Sequence, residues 1–186
     1  EKISMNKQPE VTAKTKEALT TSFCVLYTKK PIDKITIKEI TTLAGYNRST
    51  FYQYFTDVYN LLECVENSLL EEMKTAITAD DSNLFAPGLN KLIEFFSGKE
   101  IYLKALLGDY GSTHFISRLK RELSLNFSRD NLTNAGKIGP YLFEFHLSTS
   151  LSLFRTWIKN EKDISPDELL ELIHNLYMKG ISAFIE

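Results

Sequence analysis

Cysteine, long apolar stretches, metal-ligand spacings and catalytic loops are all scarce in this chain, and each scarcity removes a class of protein. Two cysteines in 186 residues, Cys24 and Cys64, are too few for a disulfide framework; both fall in apolar helical patterns and are expected to be buried thiols. No apolar stretch approaches the ~20 residues that a membrane span requires. The N-terminal EKISMNKQPE has no apolar core of a secretory leader, so the expected compartment is the cytoplasm and no membrane partner is expected. His114, His146 and His174 share no His-x-x-x-His spacing, and no metal or other cofactor is expected. Neither a Gly-x-Ser-x-Gly elbow nor a phosphate-binding glycine loop occurs, and Gly108-Asp109-Tyr110-Gly111 reads as a helix break; the chain is not expected to be an enzyme. Arg118, Lys120 and Arg121 are too sparse a cationic face for a membrane surface.

Excess charge is also missing, since the net value is −2. The distribution is less even than the sum. Residues 1–63 hold nine Lys/Arg against seven acids, and the remainder holds thirteen against seventeen. That sign suits an N-terminal face for a polyanion and a body that the polyanion does not touch.

What the chain does have is helical periodicity almost throughout, with 43% apolar residues to build a core. The expectation is an all-α protein of about nine helices: 12–30, 36–45, 47–55, one from Thr56 or Asp57 past Ile77, then about 84–97, 99–108, 113–133, 140–159 and 166–185. Leu19, Phe23, Leu26 and Tyr27 mark the apolar side of the first helix. Leu62, Val65, Leu69, Met73 and Ile77 form the stripe of the fourth. Ser165-Pro166-Asp167-Glu168 opens the last with a capping box and proline at the first helical position. Three units are expected: an arm at 1–11, a head at 12–60, and a helical body at 61–186.

The segment TIKEITTLAGYNRSTFYQYF, residues 36–55, concentrates the chemistry. Thr36 and Glu39 are spaced as a capping box, Gly45 suits a left-handed helix end, and Asn47 suits the cap of a new helix two residues later. So short a connection makes the helices cross steeply, which is the helix-turn-helix arrangement. Phe51 and Phe55 then turn inward against Ile37 and Ile40. Arg48, Ser49, Thr50, Tyr52, Gln53 and Tyr54 are left for other faces, and these are groups that reach base edges and phosphates. Arg48 and Gln53 are the candidate base readers, for guanine and adenine respectively; Thr50, Tyr52 and Tyr54 are candidate backbone contacts.

With its spacing, turn and aromatic order combined, this segment resembles the DNA-binding domain of the TetR family over roughly residues 12–66. Thr36, Ala44, Gly45, Thr50, Phe51, Tyr52, Tyr54 and Phe55 carry the match. Thr41, Tyr46 and Asn47 depart from the commoner Ala, Val and Ser. Val58 stands where the family often has a lysine beside the DNA backbone, a loss that would flatten the salt dependence of binding by about one unit of slope; Tyr59 is the candidate replacement. The resemblance implies DNA-binding residues at Thr36, Asn47, Arg48, Ser49, Thr50, Tyr52, Gln53, Tyr54 and Tyr59, and a near-palindromic double-stranded operator.

Residues 104–123 and Trp157-Ile158 resemble, more loosely, the Firmicutes-type C-terminal domain of that family. The resemblance implies a homodimer built on the last two helices, with Leu151, Phe154, Trp157, Ile158, Leu169, Leu172, Ile173, Leu176, Tyr177 and Ile181 as candidate interface residues. A small-molecule effector pocket is also implied, with Phe95, Phe96, Tyr102, Leu106, Tyr110, His114, Phe115, Phe143, His146 and Phe154 as candidate lining; an aromatic stripe at this spacing is more often the mark of plain core. Arg118 or Arg155 would face an anionic effector or pair with nearby acids. The function expected is a transcriptional regulator, a homodimeric repressor released by effector; the alternative is a co-regulator or activator working through a protein partner.

Overall fold

The computed structural model describes residues 9–78, 98–127 and 137–180. Among these the chain is all-α: α1 (Pro9–Tyr27), α2 (Ile37–Ala44), α3 (Arg48–Phe51), α4 (Val58–Thr78), α5 (Glu100–Leu107), α6 (Thr113–Phe127), α7 (Gly139–Lys159) and α8 (Pro166–Lys179), with a 3-10 turn at Ile32–Lys34. The helix expected at 84–97 lies outside the described residues. No helix among them is long and apolar enough to cross a membrane.

One continuous core joins the elements. Leu19, Phe23, Cys24 and Tyr27 of α1 meet Ile40 of α2, Phe51 of α3 and Leu61 and Val65 of α4, all of them buried. α1 packs on both α2 and α5, and so links the N-terminal helices to the later ones. α4 packs on α6, α5 on α7, and α7 on α8. Cys24 is sealed in this core, which pushes its thiol up to about 12; Cys64, expected to be buried, is exposed on α4. The helical period puts Cys64 beside the buried Val65 but about 100° round the helix, and that is enough to place it outside.

Helix ends follow their local chemistry. The Thr36 hydroxyl accepts from the Glu39 N–H at 3.3 Å, and the Glu39 carboxylate accepts from the Thr36 N–H at 2.9 Å, closing the capping box of α2. Lys30, whose Nζ stands 2.6 Å from Glu39, and the Thr36 hydroxyl hold this carboxyl down to about 2. Thr36→Ala is expected to destabilise the protein by about 1 kcal/mol, read as a shifted urea midpoint with an unchanged slope. α8 ends at Lys179, short of the expected 185, because Gly180 takes a positive φ of 68° that terminates the hydrogen-bonded spiral.

Candidate nucleic-acid interface

The bend between α2 and α3 depends on Gly45. Its φ of 74° and ψ of 26° are left-handed, a conformation that glycine adopts without steric penalty. The Gly45 N–H donates to Thr42 O at 3.3 Å and the Tyr46 N–H to Thr41 O at 2.9 Å, which closes α2. Asn47, in extended backbone, opens α3 by accepting the Thr50 N–H at 2.9 Å. Its Oδ1 also accepts the Ser49 hydroxyl at 2.6 Å and the Thr50 hydroxyl at 3.0 Å. Three donors thus converge on one oxygen, and the two hydroxyls must rotate away before either can donate to a phosphate.

α3 proper is only four residues long, shorter than the 47–55 expected. From Tyr52 to Tyr54 the chain tightens into turns, with Gln53 N–H on Thr50 O at 3.2 Å and Tyr54 N–H on Phe51 O at 3.0 Å. The tightening brings Phe55 back under the head. Phe51 and Phe55 are buried with ring centroids 5.5 Å apart. Outside them stand Arg48, Ser49 and Gln53, exposed, and Tyr52 at 54% exposure; Thr50 is half-buried. Arg48 has no ion-pair partner among the described residues, so its guanidinium is available to an incoming anion.

Three other anticipated contact residues, Thr36, Tyr54 and Tyr59, belong to different settings. Thr36 spends its hydroxyl on the Glu39 cap, donating to Oε2 at 2.8 Å. Tyr54 is half-buried and turns toward α1, where the Lys16 ammonium lies 5.8 Å from its ring centroid. Tyr59 is 59% exposed one residue into α4. Two exposed side chains that are not among the anticipated contacts flank the glycine, Leu43 at 53% and Tyr46 at 37%. The Tyr46 hydroxyl accepts from buried Thr15 at 3.5 Å and so ties the bend to α1. Val58 is uncharged and buried, so that side chain makes no ionic contact with a backbone phosphate.

Behind the head, α4 is anchored to the body by a buried carboxylate. Glu66 receives Arg118 Nη1 at 3.1 Å, with His114 Nδ1 at 3.9 Å, and Arg118 also donates to Asn67. Burial raises the Glu66 pKa, and the nearby Glu63 adds to the rise, against the opposing pull of Arg118 and His114. Folding therefore takes up a proton here between the ordinary glutamate range and the raised value. The burial penalty is complete above that interval and relieved below it. Glu66→Gln is expected to gain stability over the parent near neutral pH, with the gain shrinking as pH falls toward the ordinary glutamate range. Thermal melts across that range decide it; a variant that loses most at neutral pH would show the ion pair outweighing burial.

The anticipated pocket and interface residues are divided by the fold. Leu106, Phe115 and Phe154 are core. Tyr110 is 42% exposed, the His114 side chain 75% exposed, and half-buried His146 stacks edge-on against Tyr177 at 4.8 Å. Phe95, Phe96 and the side chain of Phe143 lie outside the described residues. Only Tyr102 of that group lines a described cavity, one of about 620 Å3 that also touches α1 and Tyr54. Arg118 is engaged by Glu66, and Arg155 donates through Nε to Leu107 O at 2.7 Å. Of the ten interface candidates, Phe154, Trp157, Ile158, Leu169 and Ile173 are buried within the chain itself; Leu151, Leu172, Leu176 and Tyr177 are half-buried, and Ile181 is outside the described residues. Trp157 in addition donates its indole N–H to Ile164 O at 2.8 Å. The apolar side chains that α7 leaves open are Tyr141, Leu142 and Phe145, preceded by Ile138, at 77, 40, 57 and 60% exposure.

No family model matches the chain, and no curated protein matches its sequence. Solved structures do. One is a dihydroxyacetone kinase operon activator, DhaS, at a TM-score of 0.59 and 19% identity, covering 91% of this chain and 97% of that one. Another is a fatty acid degradation regulator, FadR, from Bacillus halodurans, at a TM-score of 0.64 and 10% identity, covering 94% and 97%. Nearly the whole length of each is spanned, and the chain has the fold of these two proteins.

Proposed function

We propose that the chain is a sequence-specific DNA-binding transcriptional regulator of the TetR type, a homodimer that represses from a near-palindromic operator and is released by a small-molecule effector. The reading rests on the bent 36–55 segment, where Phe51 and Phe55 are buried behind exposed Arg48, Ser49, Tyr52 and Gln53. The regulator names of both structural neighbours support it. A two-fold dimer would set two such faces about 34–36 Å apart, one helical turn of DNA. Release follows if effector binds better to a conformation in which that spacing is wrong.

Selection of bound DNA from a random pool tests the reading. The parent is expected to enrich a near-palindrome. Arg48→Ala should relax the preference at a guanine and Gln53→Ala at an adenine, each by about 1–3 kcal/mol of discrimination. Unchanged selection by both variants would move base reading to other residues, and a parent that enriches nothing would remove the DNA reading.

A second reading keeps the fold and makes the chain an activator or co-regulator working through a protein partner. DhaS is named an operon activator, and buried Val58 contributes no phosphate contact. Purified chain that shifts its upstream DNA only with a partner present favours this second reading.

A further inference from the structure

We infer that the seam between head and body holds a binding site for an uncharged, mainly apolar small molecule with hydrogen-bonding edges, in the cavity bounded by α1, the turn after α3, α4 and α5. The cavity measures about 620 Å3, within the ~300–1,000 Å3 of small-molecule sites. Its apolar wall is Phe55, Val65 and Leu69, each buried in the common core. Two tyrosines, Tyr54 and Tyr102, also line it.

Charge decides the ligand class. Lys16 and Lys99 line the cavity against Glu17 and Glu72, two of each sign, and Lys99 is paired with Glu72. No net field selects an ion, so desolvating a charged ligand would go uncompensated. Thr20, Ser68 and the two phenols supply hydroxyls for a neutral ligand's polar atoms. The position matters as much as the chemistry. The Tyr102 hydroxyl is hydrogen-bonded to Thr21 at 3.0 Å and Thr20 at 3.4 Å, which fastens α5 to α1, and Tyr54 closes the turn that follows the exposed α3 face. An occupant touches both. The site stands on its own geometry; only its consequence, a shifted head that changes DNA affinity, rests on the proposed function.

Nile red, neutral and fluorescent in apolar surroundings, is the probe, used with the full chain. Cys64 lines the same cavity and is exposed, whereas Cys24 is buried, so iodoacetamide alkylates Cys64 selectively. At ten times its Kd the dye leaves about one site in eleven open, and alkylation should slow about tenfold. Ser68→Phe, at an exposed cavity position, should weaken dye binding by about tenfold or more while the melting temperature and DNA retention stay at parental values. Saturable dye fluorescence with Cys64 alkylated at its unprotected rate would place the dye elsewhere and overturn the inference. Absent saturable binding, or equal binding in Ser68→Phe, would overturn it too. DNA retention on the same samples is a separate readout: a chain that protects Cys64 but retains no DNA keeps the site and loses the regulator reading.

Discussion

Phe51→Ala is expected to lower stability by about 3–5 kcal/mol, the usual cost of removing a buried phenylalanine. The ring has no exposed surface, lies 5.5 Å from Phe55 and 5.7 Å from Tyr52, and belongs to the core that joins α1, α2 and α4. Four residues are too short to persist as a helix in water, so α3 exists because Phe51 and Phe55 dock it. Against a total of about 5–15 kcal/mol for a folded domain, the loss is a large share of the margin. A melting temperature lower by about 10 °C and a urea midpoint lower by about 1.5–2 M are the expected readings. Phe51→Leu, which keeps most of the volume, should lose much less. An alanine variant as stable as the parent would mean that the ring is not the anchor and that the exposed side chains around it are not held in place.

The head was legible because each of its features is a local code. Thr36 and Glu39 cap at fixed spacing, Gly45 takes the one backbone conformation that suits glycine best, and Asn47 caps again. Phe51 and Phe55 followed from these, since the bend leaves them one direction to face. The same local logic overextended α3, because periodicity alone cannot see the tight turns at 52–54 that bring Phe55 under the head. Tyr54 illustrates the cost. Counted along a regular helix it belongs with the outward polar group, but the turns rotate it against Lys16 and the seam cavity.

In the body the difficulty is different. An apolar stripe at helical spacing says that a face is covered, and it does not say whether its own chain or another covers it. On α7 Phe154, Trp157 and Ile158 face inward where α5 and α8 pack against the helix, while the first two turns carry Tyr141, Leu142 and Phe145 exposed, with nothing from the described residues over them. Cys64 is a smaller case of the same ambiguity. The seam cavity was invisible for a related reason: its walls come from four separated stretches of sequence, and no spacing within any one of them announces a cavity.

The open half of α7 leads to the second large effect. Ile138, Tyr141, Leu142 and Phe145 recur at helical spacing and are all exposed, which is the pattern that the proposed homodimer would use as its contact face. Under the proposed two-fold homodimer, each side chain on the patch is buried twice, once per protomer. Burying one large apolar side chain contributes about 1.5–3 kcal/mol, so removing two from each protomer and setting charges in their place should weaken association by more than about a thousandfold. The double variant Tyr141→Glu/Phe145→Glu is therefore expected to sediment as a single 21.3 kDa chain where the parent sediments at about twice that mass. Its melting should be that of an intact monomer, since neither ring is part of the chain's own core, and its hold on a two-half-site DNA should fall sharply because each half-site is then bound alone. Trp157→Ala provides the contrast. That indole is buried within its own chain and hydrogen-bonded to Ile164 O, so its loss should appear as lost stability before any change of mass. A parent that sediments as a monomer, or a double variant that still pairs, would show that the dimer is absent or is built on another face.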